Sequence, residues 1–168
     1  MTGEIAKARG HDFMREMRAG EETQVEQLLQ KAFKGNDEAR LVRLLRKEGV
    51  MAGESVVAED GRIVGYFALS EFVKPKGWLC LAPVAVLPER QGQGIGRRMC
   101  GMLSEWARLA GKTVVVLGEV GFYERAGFSA ARAAKLTTPY PVEHTLLAGP
   151  GQDVPEAELV YPAAFAGL

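Results

Sequence analysis

Residues 88–98 of the chain read PERQGQGIGRR, and this stretch carries the clearest signal in the sequence. It holds three glycines within five positions, Gly92, Gly94 and Gly96, and leads directly into an apolar helical pattern. Glycine is roughly 1 kcal/mol less favourable than alanine inside a helix, so such a loop indicates a backbone that must approach something closely. We therefore expect Gly94 and Gly96 to lie in or beside the first helical turn.

The charges beside this loop indicate that the ligand is an anion. A helix N-terminus presents unpaired N–H groups and a partial positive charge. Arg97 and Arg98 would oppose that helix dipole in the first turn, and no acidic residue there offsets them. A bound phosphate would turn the repulsion into attraction, so we interpret the loop as a phosphate site.

The residues on either side of the loop predict a βαβ unit. An apolar run over residues 78–86 precedes it, and a helix with one apolar face extends to Gly111. A β-branched run over 113–117 follows, which makes the two strands parallel. Pro83 lies inside the first strand and lacks an N–H, so we expect a bulge or a separation of neighbouring strands there.

Other elements are predicted on both sides of this unit. The sequence from Thr23 to Glu26 fits a capping box at the start of one helix. Gly35-Asn36-Asp37 breaks that helix and caps a second one, which stops at Gly49. Asp60-Gly61 favours a tight hairpin turn. Further strand-like runs cover residues 13–18, 55–59, 62–71, 143–148 and 157–161. We interpret residues 1–12 as a loose lead-in and 13–168 as a single mixed α/β domain.

Composition excludes several classes of function. The chain has 21 Lys plus Arg and 21 Asp plus Glu, so it lacks the positive surplus that a nucleic-acid binder needs. Its apolar runs are too short for a membrane span. Two cysteines, Cys80 and Cys100, favour reduced buried thiols in a cytoplasmic protein. With only His11 and His144, we expect no metal site.

Two common phosphate-binding motifs do not fit the loop. The dinucleotide fingerprint, counted from Gly94, requires glycine where Met99 stands. The Walker loop ends in Gly-Lys-Ser/Thr, a tripeptide that this sequence does not contain. A dinucleotide-dependent oxidoreductase is therefore disfavoured.

The pattern Gln91-x-x-Gly94-x-Gly96 does resemble the acyl-coenzyme A loop of the GNAT (general N-acetyltransferase) superfamily. A second element, Tyr123-x-x-x-Gly127-Phe128, matches that superfamily after the next strand. The resemblance, to a bacterial subgroup of predicted N-acetyltransferases, implies a mixed α/β sheet with helices on both faces. It also implies a splayed central pair of parallel strands.

This resemblance assigns acetyl-CoA as the co-substrate. Its diphosphate would be held by the backbone amides of the loop, with added charge from an arginine. The strand before the loop would pair its backbone with the pantetheine arm. The residues concerned are Val84, Ala85 and Val86 of the strand, and Gln91, Gly92, Gln93, Gly94, Ile95, Gly96 and Arg97 of the loop.

The resemblance also implies direct acetyl transfer to a primary amine in a ternary complex. Tyr123 matches the tyrosine that protonates the departing thiolate. Glu119 and Glu71 are the candidate bases, with His144 less favoured. A non-catalytic acyl-CoA-binding or sensing module is the alternative function. The acceptor is either a small-molecule amine or a protein or peptide amine, and the sequence does not decide between them. The strand-like C-terminus could also pair with a second copy to form a homodimer.

Overall fold

The computed structural model describes residues 13–167, and the predicted lead-in, residues 1–12, lies outside them. Within the described residues, six strands form one sheet in chain order. Neighbouring strands are antiparallel except for the fourth and fifth, which are parallel. The strands are β1 (Arg15–Glu16), β2 (Met51–Glu59), β3 (Arg62–Glu71), β4 (Leu79–Val86), β5 (Val114–Leu117) and β6 (Thr145–Ala148).

Helices cover both faces of this sheet, as expected. Leu41 and Leu45 belong to one apolar cluster together with Val115 of β5. The neighbouring residue Val116 points to the other face and shares a cluster with Leu103. The α-helices are α1 (Glu22–Phe33), α2 (Asp37–Glu48), α3 (Ile95–Ala110), α4 (Val120–Arg125) and α5 (Ala130–Ala133).

The predicted separation of the central strands is confirmed. β4 and β5 pair in parallel over Leu79–Leu81 and Val114–Val116. Beyond Leu81, within the described part of the chain, β4 continues to Val86 in register with β3 alone. The β3–β4 register shifts opposite Pro83, where a ladder donor is missing. A cleft therefore opens between the second half of β4 and the end of β5.

The hairpin turn is also as predicted. Asp60 and Gly61 both adopt positive φ, 52° and 75°, which joins β2 to β3 in a tight turn. By contrast, the capping box at Thr23 is wrong, because α1 starts at Glu22 and Thr23 lies inside it. Glu21, just before the helix, pairs with Arg15 instead (Nη2–Oε2 2.8 Å).

The C-terminal strand predictions need correction. The run predicted over 143–148 begins as a 3₁₀ turn and becomes strand only from Thr145. The run over 157–161 makes isolated bridges in place of a strand, one from Glu158 to Thr137 and one from Val160 to Lys74. These partners lie on two different segments, so no continuous ladder forms. The homodimer through this segment stays a prediction.

Candidate active site

The glycine loop presents a row of unused backbone donors. The N–H groups of residues 92–97 donate to no acceptor within the described residues, whereas the next one, of Arg98, bonds to Gly94 O at 3.0 Å. Gly94 is the N-cap of α3, so these groups lie where the helix dipole is positive. Consecutive free amides at a helix N-terminus form an anion-binding cradle.

Two glycines give the loop a backbone shape that other residues rarely adopt. Gly92 and Gly94 have φ of 76° and 86°, in the left-handed region. A Cβ at either position would meet nothing within 4 Å. The requirement for glycine at these positions is therefore conformational and not one of space.

The side chains of the loop anchor it. Gln91 Nε2 donates to Val86 O at 3.0 Å, which ties the loop to the end of β4. Gln93 accepts a hydrogen bond from Arg90 Nε at 2.8 Å, and Arg90 also pairs with Glu59. Arg97 has no ion pair within residues 13–167, so its charge is available to a ligand.

The loop borders a groove of about 430 Å³ that runs along β4. Val84 and Val86 line it, whereas Ala85, which is 3% exposed, packs on the opposite side of the strand. Sequence analysis did not identify Arg90 or Phe122, both of which also line this groove. Phe122 packs against the loop: a Cβ at Gly96 would lie 3.4 Å from its Cζ.

A second cavity, of about 360 Å³, lies on the other side of the splayed strands. We call it the aromatic chamber. It shares Val84 and Tyr123 with the groove, so the two cavities meet at these residues. Its walls are mainly aromatic and aliphatic, and include Phe33, Leu41, Tyr140, Tyr161 and Phe165.

Tyr123 is held at this junction by packing. Its ring meets Phe122 and Phe128 edge-on, at centroid distances of 4.9 and 5.8 Å. Burial raises the pKa of Tyr123 well above its ordinary value of 10.0, with a smaller contribution from Cys100. The phenol therefore stays protonated at neutral pH and can serve as a proton donor.

Gly118 makes room for the Tyr123 ring. A Cβ at Gly118 would lie 2.5 Å from Tyr123 Cε2 and 3.2 Å from Cδ2. The Gly118 N–H is fixed by a 2.9 Å hydrogen bond to the carbonyl of His144. The exposed side chain of His144 lines neither cavity, so its backbone supports the site while its ring takes no part.

The predicted carboxylates lie in different places. Glu119 lines the groove but not the aromatic chamber. Glu71 ends β3 opposite Leu79, at the closed end of the strand pair, and lines neither cavity. The structure therefore does not bring Glu71 to the cleft. The acid that lines the aromatic chamber is Glu38, which sequence analysis missed.

Other reactive groups have structural roles. Burial raises the pKa of both Cys80 and Cys100 to about 12, so these thiols stay neutral and are poor nucleophiles. Ser104 Oγ donates to Ala126 O at 2.5 Å and links α3 to the end of α4.

In residues 13–167, no three His, Cys, Asp or Glu side chains converge as metal ligands, and no helix is long and apolar enough to cross a membrane.

Known proteins are similar to this chain in sequence. The profile of a family described as "Acetyltransferase (GNAT) domain" matches residues 52–130, which span β2 to α5 and include both motifs. The Escherichia coli K12 protein named "Uncharacterized N-acetyltransferase YhbS" is 33% identical over 126 residues, covering 70% of this chain and 73% of that protein. The chain belongs to the GNAT acetyltransferase family.

Solved structures agree with this assignment. The crystal structure of Escherichia coli YhbS in complex with CoA superposes with a TM-score of 0.76 at 25% identity, covering 90% of each chain. A GNAT family acetyltransferase from Brucella melitensis, in complex with acetyl-CoA, has the same TM-score at 31% identity. It covers 90% of this chain and 96% of that one. The GNAT fold expected from the two motifs is thus confirmed, and the protein is an acetyltransferase.

Proposed function

We propose that this GNAT acetyltransferase transfers the acetyl group of acetyl-CoA to a primary amine, directly, within a ternary complex. The observation that carries the proposal is the meeting of the two cavities at Val84 and Tyr123. One cavity suits an anionic, extended cofactor and the other suits a compact acceptor. Direct transfer requires such a shared junction, because both reactants must contact each other without a covalent enzyme intermediate.

The free amides support cofactor binding. The unused N–H groups of residues 92–97 suit the oxygens of a diphosphate, and Arg97 adds a positive charge. Relatives crystallised with CoA and acetyl-CoA share the fold around this loop. We therefore assign Gly92, Gln93, Gly94, Ile95, Gly96 and Arg97 to diphosphate binding. Gln91, also expected there, supports the loop instead, because its N–H donates to Pro88 O at 3.3 Å and its Nε2 to Val86 O.

The open edge of β4 supports a place for the pantetheine arm. Beyond Leu81, this edge lacks a strand partner within the described residues, so the backbone at Val84 can pair with the amides of an extended ligand. The Val86 carbonyl already accepts Gln91 Nε2, which makes Val84 the principal partner of the three residues Val84, Ala85 and Val86.

The chemistry then requires two proton movements. The amine nitrogen bonds to the thioester carbonyl carbon, and the carbon–sulfur bond breaks. Tyr123 gives its phenol proton to the departing thiolate and regains one from the acylated nitrogen. Glu119, which lies on the cofactor side of the junction, can relay the remaining proton to solvent.

For the compartment we propose the cytoplasm, which the free thiols of Cys80 and Cys100 support.

Substitution of Tyr123 tests this proposal. With an amine that the enzyme acetylates, Tyr123→Phe should lower kcat by roughly 10²–10⁴-fold, the usual contribution of general acid catalysis. The dissociation constant for acetyl-CoA, measured by calorimetry, should stay the same. Unchanged thiol release by the variant would contradict the role of Tyr123. Acetyl-CoA binding without turnover of any amine would favour the non-catalytic binding module.

A further inference from the structure

The charged lining of the aromatic chamber is acidic. Glu38, in the first turn of α2, is the charged side chain that lines it, and no Lys, Arg or His of the described residues does so. Glu38 is half-buried and has no hydrogen bond or ion pair within the described part of the chain. A carboxylate in an apolar cavity without a cation of its own suits a cationic ligand.

The walls of the chamber favour an apolar body for the rest of the ligand. The rings of Tyr140, Tyr161 and Phe165 pack edge to face, with Tyr161 between the other two at 4.9 and 5.2 Å. Phe33 and Leu117 border the chamber and are each 40% exposed, which is a large exposed fraction for such side chains. An apolar ligand would cover both, and aromatic faces also attract a cation.

The size of the chamber favours a small molecule. Its volume of about 360 Å³ lies at the low end of ligand sites, which range over roughly 300–1,000 Å³. A carboxylated acceptor would find no cation there. A polyhydroxylated or multiply charged acceptor would leave polar groups unpaired against the apolar walls, which is unfavourable.

We propose that this chamber selects a small primary amine with an aromatic or branched apolar skeleton, and that Glu38 binds the ammonium group of that amine. The inference rests on the proposed acetyl transfer and specifies its acceptor. Glu38 takes one proton from the ammonium and releases it to solvent, so this acceptor needs no relay through Glu119. The neutral amine then bonds to the acetyl carbon as the carbon–sulfur bond breaks. The nitrogen then loses a second proton to Tyr123, which replaces the proton that Tyr123 gives to the thiolate.

The apolar path from Glu38 to the junction assists that first proton transfer. Moving an ammonium from a carboxylate into an apolar environment disfavours its charged form. The amine therefore reaches Val84 and Tyr123 as the neutral nucleophile that attack on the thioester requires.

A thiol-release assay tests the inference with four acceptors: 2-phenylethylamine, L-phenylalanine, spermidine and glucosamine. We expect kcat/KM for 2-phenylethylamine to exceed that for L-phenylalanine by roughly tenfold or more, because only the latter buries a carboxylate. Glu38→Gln should lower kcat/KM for 2-phenylethylamine by roughly 10- to 100-fold, the usual loss of a charge-assisted hydrogen bond. Glu38→Asp should restore part of that loss.

Asp37→Asn is the matched control. Asp37 is the preceding residue in the same first turn of α2 but is exposed and lines neither cavity. Its substitution removes the same charge from the helix N-terminus and should leave kcat/KM unchanged. Acetyl-CoA affinity, measured by calorimetry, should be the same in all variants.

The outcomes separate this inference from the proposed function. Efficient acetylation of spermidine or glucosamine, with none of 2-phenylethylamine, overturns the apolar acceptor and leaves acetyl transfer intact. Equal effects of Glu38→Gln and Asp37→Asn overturn the role of Glu38. Failure to bind acetyl-CoA, or binding without turnover of any amine, overturns both proposals.

Discussion

Replacement of Gly118 by alanine should inactivate the enzyme by moving one ring. The added Cβ would lie 2.5 Å from Tyr123 Cε2, whereas ordinary van der Waals contacts begin at about 3.4 Å. The Tyr123 ring must therefore shift by about 1 Å. A misplacement of that size at a reacting centre lowers kcat on the order of 100-fold.

The same substitution should have a modest effect on folding. The φ of Gly118 lies outside the left-handed region, so alanine is compatible with the backbone there. Overpacking against Tyr123 should lower the free energy of unfolding by about 1–3 kcal/mol. Affinity for acetyl-CoA should change little, because the loop of residues 91–97 lies on other elements.

Gly101→Ala provides the control. Gly101 lies inside α3, and a Cβ there would meet only Ala126 O, at 4.0 Å. Alanine should stabilise the helix by about 1 kcal/mol and leave kcat unchanged. The measurements are steady-state thiol release and urea unfolding of both variants. A Gly118→Ala enzyme with normal kcat would refute the placement of Tyr123 by Gly118.

Two further predictions concern the phosphate loop and the response to acid. Gly94→Ala should lower the free energy of unfolding by about 1–2 kcal/mol, because φ is 86°, and should weaken acetyl-CoA binding by roughly tenfold as the loop relaxes. Gly111, at the other end of α3, has φ of 70°, so Gly111→Ala should lower the free energy of unfolding by a similar amount but leave the calorimetric affinity for acetyl-CoA unchanged. Equal affinity of the two variants for acetyl-CoA would contradict diphosphate binding by the loop. The hydrogen bond from Arg15, the largest cause, holds the pKa of Glu21 at about 2, below its ordinary value of 4.5. This stabilisation is therefore present above about pH 4.5 and lost as pH falls towards 2. Glu21→Gln should flatten that part of the urea-unfolding pH profile, and an unchanged profile would refute the assignment.

The shape of the glycine loop was predictable because its signal is local. Gln91, Gly94 and Gly96 lie within six residues, and their types follow from the backbone shape and donors that the loop needs. Tyr123 belongs to a second local pattern, Tyr123-x-x-x-Gly127-Phe128, which spans six residues. Pro83 predicted the strand separation for the same reason, since its missing N–H acts at its own position.

The aromatic chamber was not predictable because its residues are distant in sequence. Phe33 and Glu38 come from the first helices, whereas Tyr140, Tyr161 and Phe165 come from the C-terminal third. No periodicity or spacing links them, and only the fold brings them together. Their individual patterns are those of an ordinary apolar helix face and ordinary loops.

Two errors, one at the C-terminal segment and one at Glu71, have related causes. The run over 157–161 has the composition of a strand, but its bridging partners, Thr137 and Lys74, lie on separate segments. Glu71 ends a strand as predicted, yet the antiparallel register places it beside Leu79, at the closed end. Both outcomes depend on strand register, which sequence patterns specify weakly when partners are distant.

The most direct test of the account is a crystal structure of the protein with acetyl-CoA. We expect the diphosphate oxygens to accept hydrogen bonds, at roughly 2.7–3.2 Å, from the backbone N–H groups of residues 92–97. The thioester should lie beside Val84 and Tyr123. A diphosphate bound elsewhere, with those N–H groups still unpaired, would contradict the account.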